Sequence, residues 1–255
     1  MAGTDRSRDA VTGGPAIILV RPQMGENIGT AARAMLNFGL TDLRLVSPRD
    51  GWPNVKAVNA AARATDVLDN VRLFDTTAEA VADLRHVFAT TARPRFMLKP
   101  TTSPRDAAAH MRRWGVLDEA CGVLFGRERT GLENDDVVLA DTILTVPINP
   151  AYASLNLAQA VLLVGYEWFQ ADTFDAGVGP NESDRTVLAT RDDLENFFVH
   201  LERELDASGF LRNQDKRPVM VRNIRNLFLR AGLYEQEVNT LHGIVAELVK
   251  GRSGE

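Results

Sequence analysis

Three short segments concentrate the residue types that bind ligands and move protons. The first is Asn27-Ile28-Gly29-Thr30-Ala31-Ala32-Arg33. Asn27 reads as the N-cap of a helix, and Gly29 permits close backbone approach. Arg33 lies about 140° around that helix from Ile28, off the apolar stripe, which suits either a solvated arginine or a cation aimed at a substrate. The second segment is Gly126-Arg127-Glu128-Arg129-Thr130-Gly131-Leu132-Glu133. Its glycines imitate the opening of a P-loop, but Leu132 and Glu133 replace the Lys and Ser/Thr that must follow, so ATP phosphate binding is excluded. The loop either turns backbone amides and carbonyls toward a ligand or is an ordinary turn. The third is Pro147-Ile148-Asn149-Pro150-Ala151-Tyr152-Ala153-Ser154-Leu155-Asn156-Leu157. Ser154 reads as a helix N-cap, and the two prolines stiffen the loop as a shaped pocket requires. No GxGxxG is present, so the first segment is not a dinucleotide site.

The elements that must position these segments follow from hydrophobic runs. Ile17–Val20, Leu43–Val46, Val71–Phe74, His86–Thr90, Gly122–Phe125 and Ile143–Val146 are short, apolar and without clean alternation, as strands covered on both faces should be. Helical patterns lie between them. Ile28, Ala31, Met35 and Phe38 form a stripe closed by Gly39, and Ser103-Pro104 opens a helix ended by Gly115. The fold class expected is α/β with a mainly parallel sheet over residues 16–170, after a disordered tail, 1–15. Residues 171–190, rich in Gly, Asp, Pro and Ser, read as a linker. Residues 191–255 read as a small all-helical module. Thr190 with Asp193 caps its first helix, which Gly209 stops. Val221, Ile224, Leu227 and Phe228 form the stripe of a second helix; Leu241, Ile244, Val245 and Leu248 form that of a third.

Composition sets the class of partner. The 255 residues are 45% hydrophobic and 25% charged, ordinary for a soluble domain. Cys121 is the only cysteine, and the four histidines, His86, His110, His200 and His242, share no ligand spacing. Neither a disulfide framework nor a metal site is expected. The N-terminus lacks an apolar h-region, and the uncharged run Thr142–Tyr166 contains two prolines and two asparagines. A signal peptide and a membrane span are both rejected, and a cytoplasmic location is expected. The net charge is −5, yet residues 93–113 and 211–230 each carry six basic side chains against one acid. Residues 118–141 carry seven acids and two arginines. Such basic stretches are either solvated helix faces or a surface that steers a polyanion.

Taken in order, Asn-x-Gly-x-x-Ala-Arg (Asn27 to Arg33), Phe-Gly-x-Glu-x-x-Gly-Leu (Phe125 to Leu132) and Ser-Leu-Asn (Ser154 to Asn156) resemble the three signature motifs of the SPOUT (SpoU/TrmH-type) RNA ribose 2′-O-methyltransferases. Thr91-Ala92-Arg93-Pro94-Arg95 is similar to a stretch of the TrmJ branch, which modifies the tRNA anticodon loop. The likeness runs from Ile17 to about Phe169. It continues more weakly through Phe197, His200, Leu201, Glu202, Leu205, Gly209 and Phe210.

The resemblance implies a deep trefoil knot, S-adenosylmethionine (SAM) as methyl donor, and a homodimer. It implies cofactor contacts at Thr90, Thr91, Ala92, Gly126, Gly131, Val146, Ile148, Ser154 and Leu155. It places Arg33 at the 2′-hydroxyl, with Ser154 positioning Arg33 or a phosphate, and Asn27 and Asn156 ordering the pocket. Glu128 is expected to hold its loop or a catalytic arginine. Arg93 and Arg95 would grip RNA phosphate, joined by Arg222, Arg225 and Arg230 of the helical module. The partners expected are tRNA, at cytidine or uridine 32, and a second copy of the chain, with neither membrane nor DNA. Ribosomal RNA as substrate, and a catalytically silent RNA-binding protein, are the alternatives.

Overall fold

The computed structural model describes residues 11–62, 64–91, 98–171 and 187–252. Most of the expected tail and linker, and Ala92, Arg93 and Arg95, lie outside the described residues. Seven parallel strands form one sheet: β1 (Ala16–Val20), β2 (Leu43–Val46), β3 (Arg72–Phe74), β4 (His86–Thr90), β5 (Thr101–Thr102), β6 (Cys121–Phe125) and β7 (Thr142–Leu144). Their spatial order is β3-β2-β1-β6-β4-β7-β5. All six expected strands are present, shifted by two residues or fewer at their ends. The additional strand, β5, is two threonines without an apolar run to announce it. β1, β2 and β6 are buried along their whole length, which their Val/Ile/Leu content requires. β3 departs from the expectation of full burial: it is an edge strand, with Leu73 51% exposed.

Helices cover both faces. On one side α1 (Gly25–Asn37), α2 (Val55–Ala60), α3 (Thr65–Asp69), α5 (Pro104–Val116) and α7 (Leu157–Gln170) pack around Ile17, Leu19, Leu43, Leu45, Val123 and Phe125. On the other, α4 (Thr77–Val81) and α6 (Asn134–Val138) pack around Ile18, Val20, Val87 and Leu124. The remaining helices, α8 (Arg191–Ala207), α9 (Arg217–Ala231) and α10 (Glu235–Arg252), enclose a separate apolar cluster centred on Phe197 and Phe198. This module docks on the second face of the sheet domain. The Arg191 and Asp192 amides donate to Leu84 and Ala82 carbonyls at 3.1 Å each, and Arg191 pairs with Asp141.

Four local expectations are corrected. The N-cap of α1 is Met24, so Asn27 lies inside the first turn, buried. The N-cap of α7 is Asn156, whose Oδ1 accepts from the Ala158 amide, and not Ser154. Helix α5 runs through Gly115 to Val116. In α9 the packed face is carried by Leu229 and Phe228 while Leu227 is 56% exposed; in α10 Ile244 and Leu248 are likewise exposed. Thr190 and Asp193 form the expected capping box of α8, and Gly209 follows its end with φ +76°.

Candidate active site

In an open parallel sheet, ligands sit beyond the carboxyl ends of the strands. The loops leaving β1, β4, β6 and β7 meet there. The loop after β6 folds back on itself: the Gly131 amide donates to the Arg127 carbonyl at 2.8 Å, with Gly131 at φ +71°. A Cβ at Gly126 would overlap the backbone of Gly131 and Leu132, so only glycine closes this turn.

That turn aims Glu128 at the loop entering α1. Its carboxylate accepts from the backbone amides of Gln23 at 2.9 Å and Met24 at 3.1 Å. It also accepts from Asn27 Nδ2 at 2.9 Å. Asn27 Oδ1 in turn accepts from Asn156 Nδ2 at 2.9 Å. One chain of side-chain hydrogen bonds therefore joins all three segments, and the donor inventory fixes the amide orientations. Glu128 holds the α1 entry rather than an arginine.

Beside this chain lies a cavity of about 230 Å³. Thr90, Thr91, Gly126, Gly131, Val146, Ile148, Ser154 and Leu155 all line it, with Leu144 and Leu157 as its apolar floor. Thr90 is fixed by its hydroxyl donating to the Leu124 carbonyl at 2.8 Å. Ser154 is exposed at the rim, and no hydrogen bond joins it to Arg33. Arg33 is exposed on α1 and makes no ion pair with a described residue. No cluster of metal-ligating side chains occurs among the described residues. The cysteine is no nucleophile: burial pushes the Cys121 thiol up to about 12.

Residues 14–166 match the SpoU rRNA Methylase family, and residues 192–255 match the C-terminal domain of the tRNA methyltransferase TrmJ. The chain belongs to the SpoU methylase family. The deep trefoil knot is implied by that membership. The tRNA (cytidine/uridine-2'-O-)-methyltransferase TrmJ of Yersinia enterocolitica is 37% identical over 236 residues, covering 92% of this chain and 91% of the relative. The crystal structure of TrmJ from Z. mobilis superposes with a TM-score of 0.83 at 49% identity, covering 92% of this chain and 99% of that one. A structure bearing on 2-OH methylation of C/U34 on tRNA is 27% identical with a TM-score of 0.50, covering 62% of this chain and 95% of that one.

In this SpoU-family chain the basic residues of α9 are not the open face expected of them. Arg225 is held between Glu202 and Glu195 at 2.6 and 2.7 Å, and Arg222 Nε donates to Asp135 at 2.7 Å. Arg230 is exposed. Sequence reasoning also missed Arg21, Glu133 and Asp136. Arg21, at φ +49°, donates to the buried Asp136 at 2.6 Å and lies 3.3 Å from Glu133. Glu133 also accepts from Arg127 at 2.8 Å, so Arg21 ties the loop after β1 to the loop after β6. The only signal was opposite charge at distant positions, which pairs many ways before a fold is known.

Proposed function

We propose that this SpoU-family protein is a tRNA (cytidine/uridine-2'-O-)-methyltransferase that uses SAM and modifies anticodon-loop position 32. The observation that carries the reading is the hydrogen-bonded chain Glu128–Asn27–Asn156 bordering one cavity, because it brings the three motifs to a single place. The family match over the C-terminal helices and the TrmJ relatives support tRNA as the substrate class. The cavity suits SAM in chemistry: apolar Leu144, Val146, Ile148 and Leu157 face a nucleoside, while the backbone at Gly126 and Leu155 offers amides and carbonyls.

When bound, SAM supplies a methyl group on a cationic sulfur whose leaving group is neutral. The chain's own residues then have two tasks: to hold the 2′-hydroxyl in line, and to offset charge as its proton leaves. Arg33 offers a planar fork of donors and no acceptor, and its role is to bind the adjacent phosphate or the developing alkoxide. Glu128, Asn27 and Asn156 keep the loops at a fixed separation, and Ser154 sits at the rim where RNA enters. Arg93, Arg95 and Arg230 supply sequence-independent phosphate contacts. Arg222 and Arg225 are engaged with carboxylates and act on RNA only where those pairs exchange. Residues 16–170 form the catalytic unit and 191–255 the module that recognises the tRNA body.

The protein acts as a homodimer. Leu162, Tyr166 and Phe169 leave an exposed apolar line along α7 at spacings of four and three, a face that a second copy covers.

Radiolabelled SAM offered with bulk tRNA and, separately, with ribosomal RNA tests the reading. Label in tRNA, mapped by nuclease digestion to nucleotide 32, is expected. Label at 34 corrects the nucleotide, label in ribosomal RNA alone replaces the substrate, and none in either makes the protein a silent RNA binder.

A further inference from the structure

The first turn of α6 is shared by two parts of the molecule that the sequence separates widely. Its N-cap, Glu133, receives Arg127 from the loop after β6. Asp136, three residues on, is 4% exposed and accepts from Arg21 and from the Thr77 hydroxyl at 2.6 and 2.7 Å. The Glu133 amide donates back to Asp136 at 2.9 Å, which makes the turn rigid. Between these two residues stands Asp135, pointing the other way, with its Oδ1 accepting from Arg222 of α9 at 2.7 Å. Arg21 and Arg222 both line one cleft of about 460 Å³. Helix α9 thus reaches the Glu128-bearing loop through two charge-assisted hydrogen bonds, Arg222–Asp135 and Arg127–Glu133, joined by the first turn of α6.

We infer that Arg222 is a positioning residue: through Asp135 it sets the first turn of α6, and with it the two loops that carry Glu128 and the entry to α1. The inference rests on the methyltransferase reading and adds a specific link by which the helical module acts on catalysis. The Asp135 side chain is 76% exposed and that of Arg222 30%, so the pair contributes little to stability. Its consequence lies in placement, because small displacements of aligned groups cost far more in rate than in folding. A guanidinium seated on a carboxylate is also a contact that an RNA phosphate can compete for, which makes the link responsive to tRNA.

The test compares Arg222→Ala, Asp135→Asn and the exchanged pair Arg222→Asp with Asp135→Arg, all in the full chain. Steady-state methylation of tRNA at saturating SAM is expected to show kcat down about tenfold in both single variants, with KM for tRNA within about twofold and most of the loss recovered in the exchanged pair. Hydrogen exchange without RNA is expected to show faster exchange at Gln23, Met24 and Gly131 in the single variants, restored by the exchange. A raised KM in Arg222→Ala alone, with Asp135→Asn like wild type, makes Arg222 a direct phosphate contact and overturns the inference. Unchanged exchange at those amides overturns it too. A wild type that methylates no tRNA counts against the functional reading instead, and the exchange measurement still decides the coupling.

Discussion

Glu128 is a carboxylate with three donors, held by geometry that only glycine at 126 permits. Glu128→Ala leaves the half-buried Gln23 amide and the Asn27 side-chain amide without their acceptor, each worth about 1–3 kcal/mol when left unsatisfied away from water, and turns the exposed Met24 amide to solvent. A melting temperature lower by several degrees and loss of methyl transfer are expected, measured by thermal melts and initial rates. Glu128→Gln keeps the shape but turns one acceptor into a donor facing a donor, so its melt should fall between the two. Arg33 behaves oppositely. It is exposed on α1, so Arg33→Ala should shift stability by less than about 0.5 kcal/mol while abolishing methylation. Arg33→Lys should fail as well, because a point charge does not reproduce the planar fork. Denaturant titration beside single-turnover rates checks both. At this scale Asn27, Glu128 and Asn156 stand out through the motifs they share with the family, and the structure joins them by hydrogen bonds, while the role of Arg33 rests on the resemblance. Asn27's part was not legible in the sequence: the amides entering α1 are satisfied by a carboxylate 104 residues away, so no local capping rule could reveal it.

Elements were easier to read than their edges. The central strands announce themselves because burial on both faces forces continuous Val, Ile and Leu, whereas β5 is two threonines following Lys99-Pro100 and carries no such signal. The stripe of α9 was rotated in the reading, since Arg222 and Arg225 bury their stems toward acids that only the fold supplies. Lys99 shows another role hidden from spacing. Its Nζ donates to the Val138 and Ala140 carbonyls at 3.3 and 2.5 Å, where α6 ends and orphan acceptors gather. Burial lowers its pKa to about 8. A lysine depressed in the fold weakens it while charged. Between about 8 and about 10.5 the unfolded chain still binds a proton that the native chain has released, so this group's contribution to stability improves as pH rises through that window. Urea midpoints across that window should rise less, or fall more, in Lys99→Met than in wild type. Parallel pH profiles for the two would assign the titration elsewhere.

Over the whole molecule, a negative chain presents positive charge only in places, and an apolar line on α7 stays open in one copy. Tyr166→Arg with Phe169→Glu should convert the proposed dimer into a 28.0 kDa monomer in sedimentation and remove methylation, and a wild type that sediments as a monomer would remove the dimer from the proposal. A variant that sediments like wild type would place the dimer contact elsewhere. The sheet order has a further consequence for how the protein is made. β1, β2 and β3 lie side by side, with β2 between the other two, and can pair as soon as residue 74 has left the ribosome, but β4 has no partner among them. It reaches those three only through β6, which must slide between β1 and β4 after Cys121–Phe125 has been translated, and its other partner, β7, is made later still. During that interval His86–Thr90 is an unpaired apolar strand on a growing chain, the segment most exposed to aggregation and to chaperone capture. Ribosome-bound chains stopped where β4 has left the exit tunnel and β6 has not should therefore be protease-sensitive at β4 and protected from β1 to β3, with protection of β4 gained only in chains long enough to release β6.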